Sequence, residues 1–179
     1  MSYTVKRRPF RALGSKKKNQ SKLKTELWYI GKTAFPYLEQ GMALYEKRLE
    51  RYMGFTSVLM PDVKNGNKLP PDQLKIKEGE AVLKKLNDSD FLVLLDEKGK
   101  ALTSVQFAEF MEQKFQLGSR QLVFLIGGAY GFSDAVYKRA NQQLSLSKMT
   151  FSHQMIRLFF LEQLFRAMTI IRGEPYHNE

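Results

Sequence analysis

The sequence predicts an α/β fold built on a parallel sheet, with helices on both faces. Three observations predict it. Leu122–Ile126 (LVFLI) and Phe91–Leu95 (FLVLL) are runs of five large apolar residues. They are too short for a helix core and show no alternation, so each reads as a strand buried on both faces. Strand-like and helix-like segments alternate from Glu26 onward, the pattern of repeated strand–helix–strand units. The strand at Leu122–Ile126 then runs directly into Gly127 and Gly128, with Gly131 ahead of a helix opened by Ser133 and Asp134. Such a turn lets the backbone approach another group closely, and in open α/β sheets ligands bind beyond the carboxyl ends of the strands.

The elements follow in order. Glu26–Ile30 (ELWYI) is a short β-rich run ended by Gly31 and forms the first strand. Thr33 is placed to cap a helix with Pro36 in its first turn. Leu38, Met42, Tyr45, Leu49 and Tyr52 then recur at helical spacing and form one apolar face. Phe55–Met60 is the second strand, and Pro61–Pro71 (PDVKNGNKLPP) is a polar loop bracketed by prolines. Asp72–Asn87 reads as a second helix with Ile76, Val82, Leu83 and Leu86 inward. After the FLVLL strand, Thr103 and Gln106 form a capping box for a helix through Leu117, closed by Gly118. Beyond the glycine turn come a short helix from Asp134 to about Gln143 and a short alternating strand, Leu144–Phe151 (LSLSKMTF), running into a loop. A long helix from His153 to Arg172 follows, stopped by Gly173.

That last helix is apolar almost all round. On a helical wheel Gln154, Arg157, Glu162, Arg166 and Thr169 share their half-circle with Leu158, Leu161, Phe165 and Met168. A helix of this kind needs cover on two sides, by its own sheet and by a second copy, so a two-fold homodimer is expected. The polar side chains exclude a transmembrane span.

Composition narrows the function classes. A hydrophobic share of 43% with 26% charged residues is ordinary globular composition, expected to form one domain over residues 25–179. Cysteine is absent, which removes disulfides, thiolate nucleophiles and most zinc sites and fits a reducing, cytoplasmic setting. With only His153 and His177, no metal site is expected. The net charge of +11 is concentrated: residues 1–24 hold nine Lys or Arg and no acid, leaving 20 basic against 18 acidic residues beyond them. Residues 1–24 therefore read as a basic, disordered extension without the apolar core of a secretory signal, either a solvated tail or an RNA-binding arm. The nearly neutral remainder offers free RNA little attraction, so binding leans on a dimer, local patches or an assembled ribosome. In the pocket, Gly127, Gly128 and Gly131 spell GGxxG rather than GxGxxG, and no GxxxxGK occurs. A dinucleotide or triphosphate is disfavoured. Glycine backbone and apolar walls suit an adenosine carrying a cationic sulfonium.

At these residues a resemblance becomes specific. LVFLIGGAYGF, LSLSKMTFSHQMIRLFFLEQLFRA, the ending RGEPYHNE and the first-strand motif WYIGK together resemble the SPOUT methyltransferases and, within them, the ribosomal RNA large subunit methyltransferase H family. The likeness runs from about Glu26 to Glu179 and leaves out the tail before Thr25. It implies a parallel-sheet SPOUT fold with a C-terminal trefoil knot, acting as a homodimer. The implied reaction is methyl transfer from S-adenosyl-L-methionine to N3 of a pseudouridine in 23S rRNA, on the assembled ribosome. Knots are so rare that no periodicity points to one.

Carried over residue by residue, the family's cofactor cleft falls on Leu95, Gly127, Leu146, Ser147, Lys148, Met149, Thr150 and Phe151. Leu95, Leu146, Met149 and Phe151 supply apolar walls for an adenine, and Gly127 lets the chain pass close to the ribose and methionine. For the acceptor, His153 serves as base or orients the uracil, and Arg157 holds its carbonyl oxygens or a phosphate. Tyr176 and His177 close over the site, one stacking and one hydrogen-bonding. Without the resemblance, Leu95 and Leu146 read as core, His153 as a helix-end side chain and Arg157 as an ion-pair partner of Glu162. Two other functions stay open at this point: a non-enzymatic RNA-binding or ribosome-assembly module, and a SPOUT methyltransferase acting on transfer RNA.

Overall fold

The computed structural model describes residues 23–116 and 121–176. The expectations placed on residues 1–22, on Leu117 and Gly118, and on His177 lie outside the described residues. Five strands, β1 (Lys24–Ile30), β2 (Phe55–Met60), β3 (Phe91–Ala101), β4 (Gln121–Ile126) and β5 (Gln142–Ser145), alternate with five α-helices. These are α1 (Pro36–Leu49), α2 (Pro71–Lys85), α3 (Ser104–Gln116), α4 (Asp134–Arg139) and α5 (Met155–Arg172). The strands pair in the order β2-β1-β4-β3-β5, all parallel. The expected α/β architecture is present.

β4 lies at the centre because its residues bury on both faces. Leu122, Val123, Phe124 and Leu125 are 0% exposed, each apolar side chain contributing about 1.5–3 kcal/mol on burial. Phe124 points with Leu27 and Val93 into a core built from α1, α3 and α5, where its ring lies 4.7 Å from that of Phe160. Val123 and Leu125 point the other way, with Trp28, Leu92 and Leu94, against Val82 of α2 and Val136 of α4. Helices therefore cover both faces.

Several boundaries differ from the sequence expectation, each for a local reason. β1 begins at Lys24, inside the stretch assigned to the basic extension, where Lys24 Nζ meets Glu26 Oε1 at 2.6 Å. Thr33 does not cap α1, whose N-cap is Phe35 without a side-chain bond. Its hydroxyl instead accepts from Arg157 Nη1 at 3.0 Å. In α2, Ile76 is 52% exposed, and the buried positions are Glu78, Gly79 and Val82. β3 continues past Leu95 to Ala101 through a register shift between Leu95 and Lys100. Gly99 permits this, since a Cβ there would stand 2.6 Å from the backbone of Leu144. α4 ends at Arg139 and β5 starts at Gln142 rather than Leu144. Asn141 docks the chain onto Leu92, accepting its N–H at 2.7 Å and returning its own to the Leu92 carbonyl at 2.9 Å.

The capping box at the start of α3 forms in both directions: Gln106 N–H donates to Thr103 Oγ1 at 3.2 Å and Thr103 N–H to Gln106 Oε1 at 3.0 Å. Gly173 ends α5 in the left-handed conformation at φ 67°. α5 packs between α1 and α3 on the sheet, with Phe160, Leu161 and Leu164 at 0% exposure. Its apolar circumference is thus met largely within one chain and does not by itself require a second copy. No described helix is long and apolar enough to cross a membrane.

Candidate active site

A cavity of about 500 Å³ opens at the end of β4, where its pairing with β3 stops at Leu95 and Ile126. Three segments wall it: Leu95–Lys98 from β3, the glycine turn Ile126–Phe132 after β4, and the loop and turn Ser145–His153 between β5 and α5. Leu95 and Ile126 are register partners, so the parallel pairing itself brings the first two walls together. This is the position where open parallel sheets bind ligands. Seven of the motif-derived cofactor residues line it: Leu95, Gly127, Leu146, Ser147, Met149, Thr150 and Phe151. Lys148, in the same loop, is not part of the wall.

The loop after β5 holds its own shape. Ser145 Oγ donates to the Ser147 carbonyl at 2.7 Å, and Met149 N–H donates to Ser147 Oγ at 2.9 Å. Phe151 stacks on Phe159 of α5 with ring centroids 5.0 Å apart. Met149 is left 72% exposed at the rim. Such a wall offers apolar surface and backbone polar groups in one place, which suits a flat heteroaromatic ring.

The glycine turn has a different reason for its glycines than ligand approach alone. A Cβ on Gly127 would stand 3.1 Å from the Gly131 carbonyl oxygen, and a Cβ on Gly128 only 2.6 Å from Glu78 Oε2. The protein itself fills those spaces. Gly131 has open space around it and is required by its φ of +79°.

Of the three proposed catalytic residues that are described, His153, Arg157 and Tyr176, only His153 lies on the cavity wall. Burial, and then the neighbouring Arg157 guanidinium, push its imidazole below the usual range, favouring the neutral form. Arg157 is fully buried and is not part of the cavity wall. Its guanidinium donates to the carbonyls of Ile30 at 2.7 Å, Gly31 at 3.0 Å and His153 at 3.0 Å, and stacks over Tyr29 at 4.4 Å. It pins α5 to the end of β1. The ion pair with Glu162 is made by Arg166 instead, at 2.6 Å. Tyr176 sits beyond the far end of α5, its ring 4.8 Å from that of Phe165 and its hydroxyl donating to Glu162 Oε1 at 3.1 Å.

Sequence reasoning passed over several wall residues. Asp96, Glu97 and Tyr137 line the cavity, and Tyr137 donates to Asp96 Oδ2 at 2.5 Å. Burial and that carboxylate hold the Tyr137 hydroxyl well above its usual range, so it stays protonated. The signal for Asp96 was available, since it directly follows the apolar run Phe91–Leu95. Among the described residues no group of His, Asp or Glu is arranged to hold a metal.

The all-parallel sheet thus carries a glycine turn and a self-bonded loop around a cleft at the carboxyl end of β4. The chain belongs to the SPOUT methyltransferase family: the family model described as "Predicted SPOUT methyltransferase" matches residues 23–177. Similar chains carry a more particular name. A protein of Cytophaga hutchinsonii named ribosomal RNA large subunit methyltransferase H is 54% identical over 156 residues, 87% of this chain and 100% of that protein. Proteins with the same name from Parabacteroides distasonis and Bacteroides thetaiotaomicron are 53% and 48% identical over 157 residues, 88% of this chain and the whole of each.

Proposed function

We propose that this chain methylates large-subunit ribosomal RNA, using S-adenosyl-L-methionine to place a methyl on N3 of a pseudouridine in 23S rRNA of the assembled ribosome. The observation that carries this reading is the cleft. Seven residues taken from the motif as cofactor contacts, from three separate stretches of chain, line one cavity of about 500 Å³. The names of the similar proteins support the RNA target.

When bound, the cofactor supplies a methyl group on a cationic sulfur. The chain's own residues do the rest. Leu95, Leu146, Met149 and Phe151 would hold the adenine, and the Gly127 backbone would leave room for the ribose and methionine. His153, held neutral at the cavity wall, would take the proton from N3 of the acceptor. Arg157 acts indirectly, by fixing the turn that carries His153.

The reading includes a two-fold homodimer in the cytoplasm and a knotted C-terminal path. α5 has 18 residues and spans about 27 Å, so Tyr176 cannot reach the cavity of its own chain while docked on Phe165. In this reading Tyr176 serves the cleft of a second copy.

The test is transfer of labelled methyl to ribosomes lacking the modification, with free 23S rRNA and transfer RNA in parallel, using the full chain and a version starting at Lys24. Label at a pseudouridine in ribosomes alone is expected. Label on transfer RNA would move the substrate class, and no label with no cofactor binding would leave a non-enzymatic RNA-binding module.

A further inference from the structure

The structure assigns to Glu78 of α2 the role of a positioning residue for the cofactor cleft: its carboxyl is the seat on which the Gly127–Phe132 wall rests. The inference builds on the reading of that cavity as the cofactor cleft. It starts from two contacts too tight for any side chain. A Cβ on Gly128 would meet both Glu78 oxygens, at 2.6 and 2.7 Å, and a Cβ on Gly79 would meet Ser133 Oγ at 2.3 Å. α2 is therefore pressed against both ends of the segment that forms the wall, with the Glu78 carboxyl at one end and Gly79 at the other.

The chemistry of the seat is unusual. Glu78 is 9% exposed and its Oε2 has no hydrogen-bond partner, and the same holds for Ser133 Oγ at 7% exposure. An ionised carboxylate left unpaired inside a protein costs several kcal/mol. Burial, then the charge of Asp62 in the loop after β2, raise the Glu78 carboxyl above the usual carboxylate range, which favours the protonated group. A neutral carboxyl can rest against the glycine backbone without a counter-charge. Glu78 is absent from the cavity wall, so it acts through Gly128 and does not touch the ligand.

The expected behaviour separates a neutral seat from a charged group. Glu78→Gln preserves shape and neutrality, whereas Glu78→Ala removes the seat. Binding of S-adenosyl-L-methionine to the intact protein is measured by calorimetry for wild type and both variants, alongside hydrogen exchange of the peptide covering residues 122–137. Glu78→Ala is expected to weaken binding about tenfold or more and speed exchange in the turn. Glu78→Gln should stay within about threefold of wild type, well under the 1.4 kcal/mol of a tenfold change. A folded Glu78→Ala with wild-type binding and exchange overturns the inference, as does Glu78→Gln binding no better than Glu78→Ala. Should Glu78→Ala fail to fold, Glu78→Gln decides alone, by keeping or losing the affinity. Failure of wild type to bind, with exchange still faster in Glu78→Ala, would sink the cofactor reading and support the seat.

Discussion

The two ends of α5 each place an arginine among aromatic and polar groups, and they do opposite things with it. At the amino end Arg157 is sealed from solvent and spends its guanidinium on three backbone carbonyls and the Thr33 hydroxyl. Nearer the carboxyl end Arg166 is 27% exposed, pairs with Glu162, and lies over the Tyr176 ring at 4.9 Å. The first arrangement joins α5 to the last residues of β1 and so fixes where the cleft's third wall begins. The second is a partly solvated side-chain network of the kind worth at most about 1 kcal/mol. Identical side-chain chemistry on one helix gives a structural pin at one end and a surface cluster at the other, because backbone carbonyls cannot leave and side chains can.

The sharpest way to break that comparison is Arg157→Ala, which removes the guanidinium donors to the carbonyls of Ile30, Gly31 and His153. Unfolding free energy should fall on the order of 3–5 kcal/mol, lowering the melting temperature by about 10 °C or more. Arg157→Lys should recover only part, since an ammonium cannot fork across three acceptors. A loss under about 1 kcal/mol by thermal melting would make Arg157 no better than a surface cation.

Next in size is His153→Ala, which should cut methyl transfer about 100-fold while leaving the melting curve in place. The pH profile sharpens it. Neutral His153 is the competent form, so activity should rise as the imidazole loses its proton and fall as pH drops through that value. The midpoint should lie below the ordinary histidine range, because burial and Arg157 disfavour the protonated form. A midpoint above that range would remove His153 as the base. Smallest is Tyr176→Phe, which deletes the bonds to Glu162 and Tyr45 at the far end. Urea unfolding should shift by less than about 1 kcal/mol, and a larger shift would mean that this end is as fixed as the other.

The sheet was legible because its signal is local and strong. The five-residue apolar runs at Phe91–Leu95 and Leu122–Ile126 can only be strands covered twice, and both became neighbours at the centre. The site was legible in part, because motif residues after a buried strand must fall at its carboxyl end. Thr33 failed as a cap because a distant arginine claimed its hydroxyl, 124 residues away in the chain. Ile76 failed as core because the inward face of α2 is carried instead by Glu78, Gly79 and Val82. A buried glutamate is invisible to a hydrophobic pattern, although its spacing of four from Val82 places it on the same helix face. The role of Arg157 was the deepest miss: its partners are backbone groups, which carry no sequence signature at all.

The strand order carries a consequence for how the molecule is made. β4 sits between β1 and β3, yet Lys24 must wait for Gln121 before it has a partner on that side. A chain synthesised from its amino terminus therefore holds β1 and β3 for a time with bare apolar edges, and pairing over such separations is slow. Any product truncated before Gln121 would keep both edges open to other chains and would have no cleft. Premature termination in this protein should yield aggregates rather than a partly active fragment.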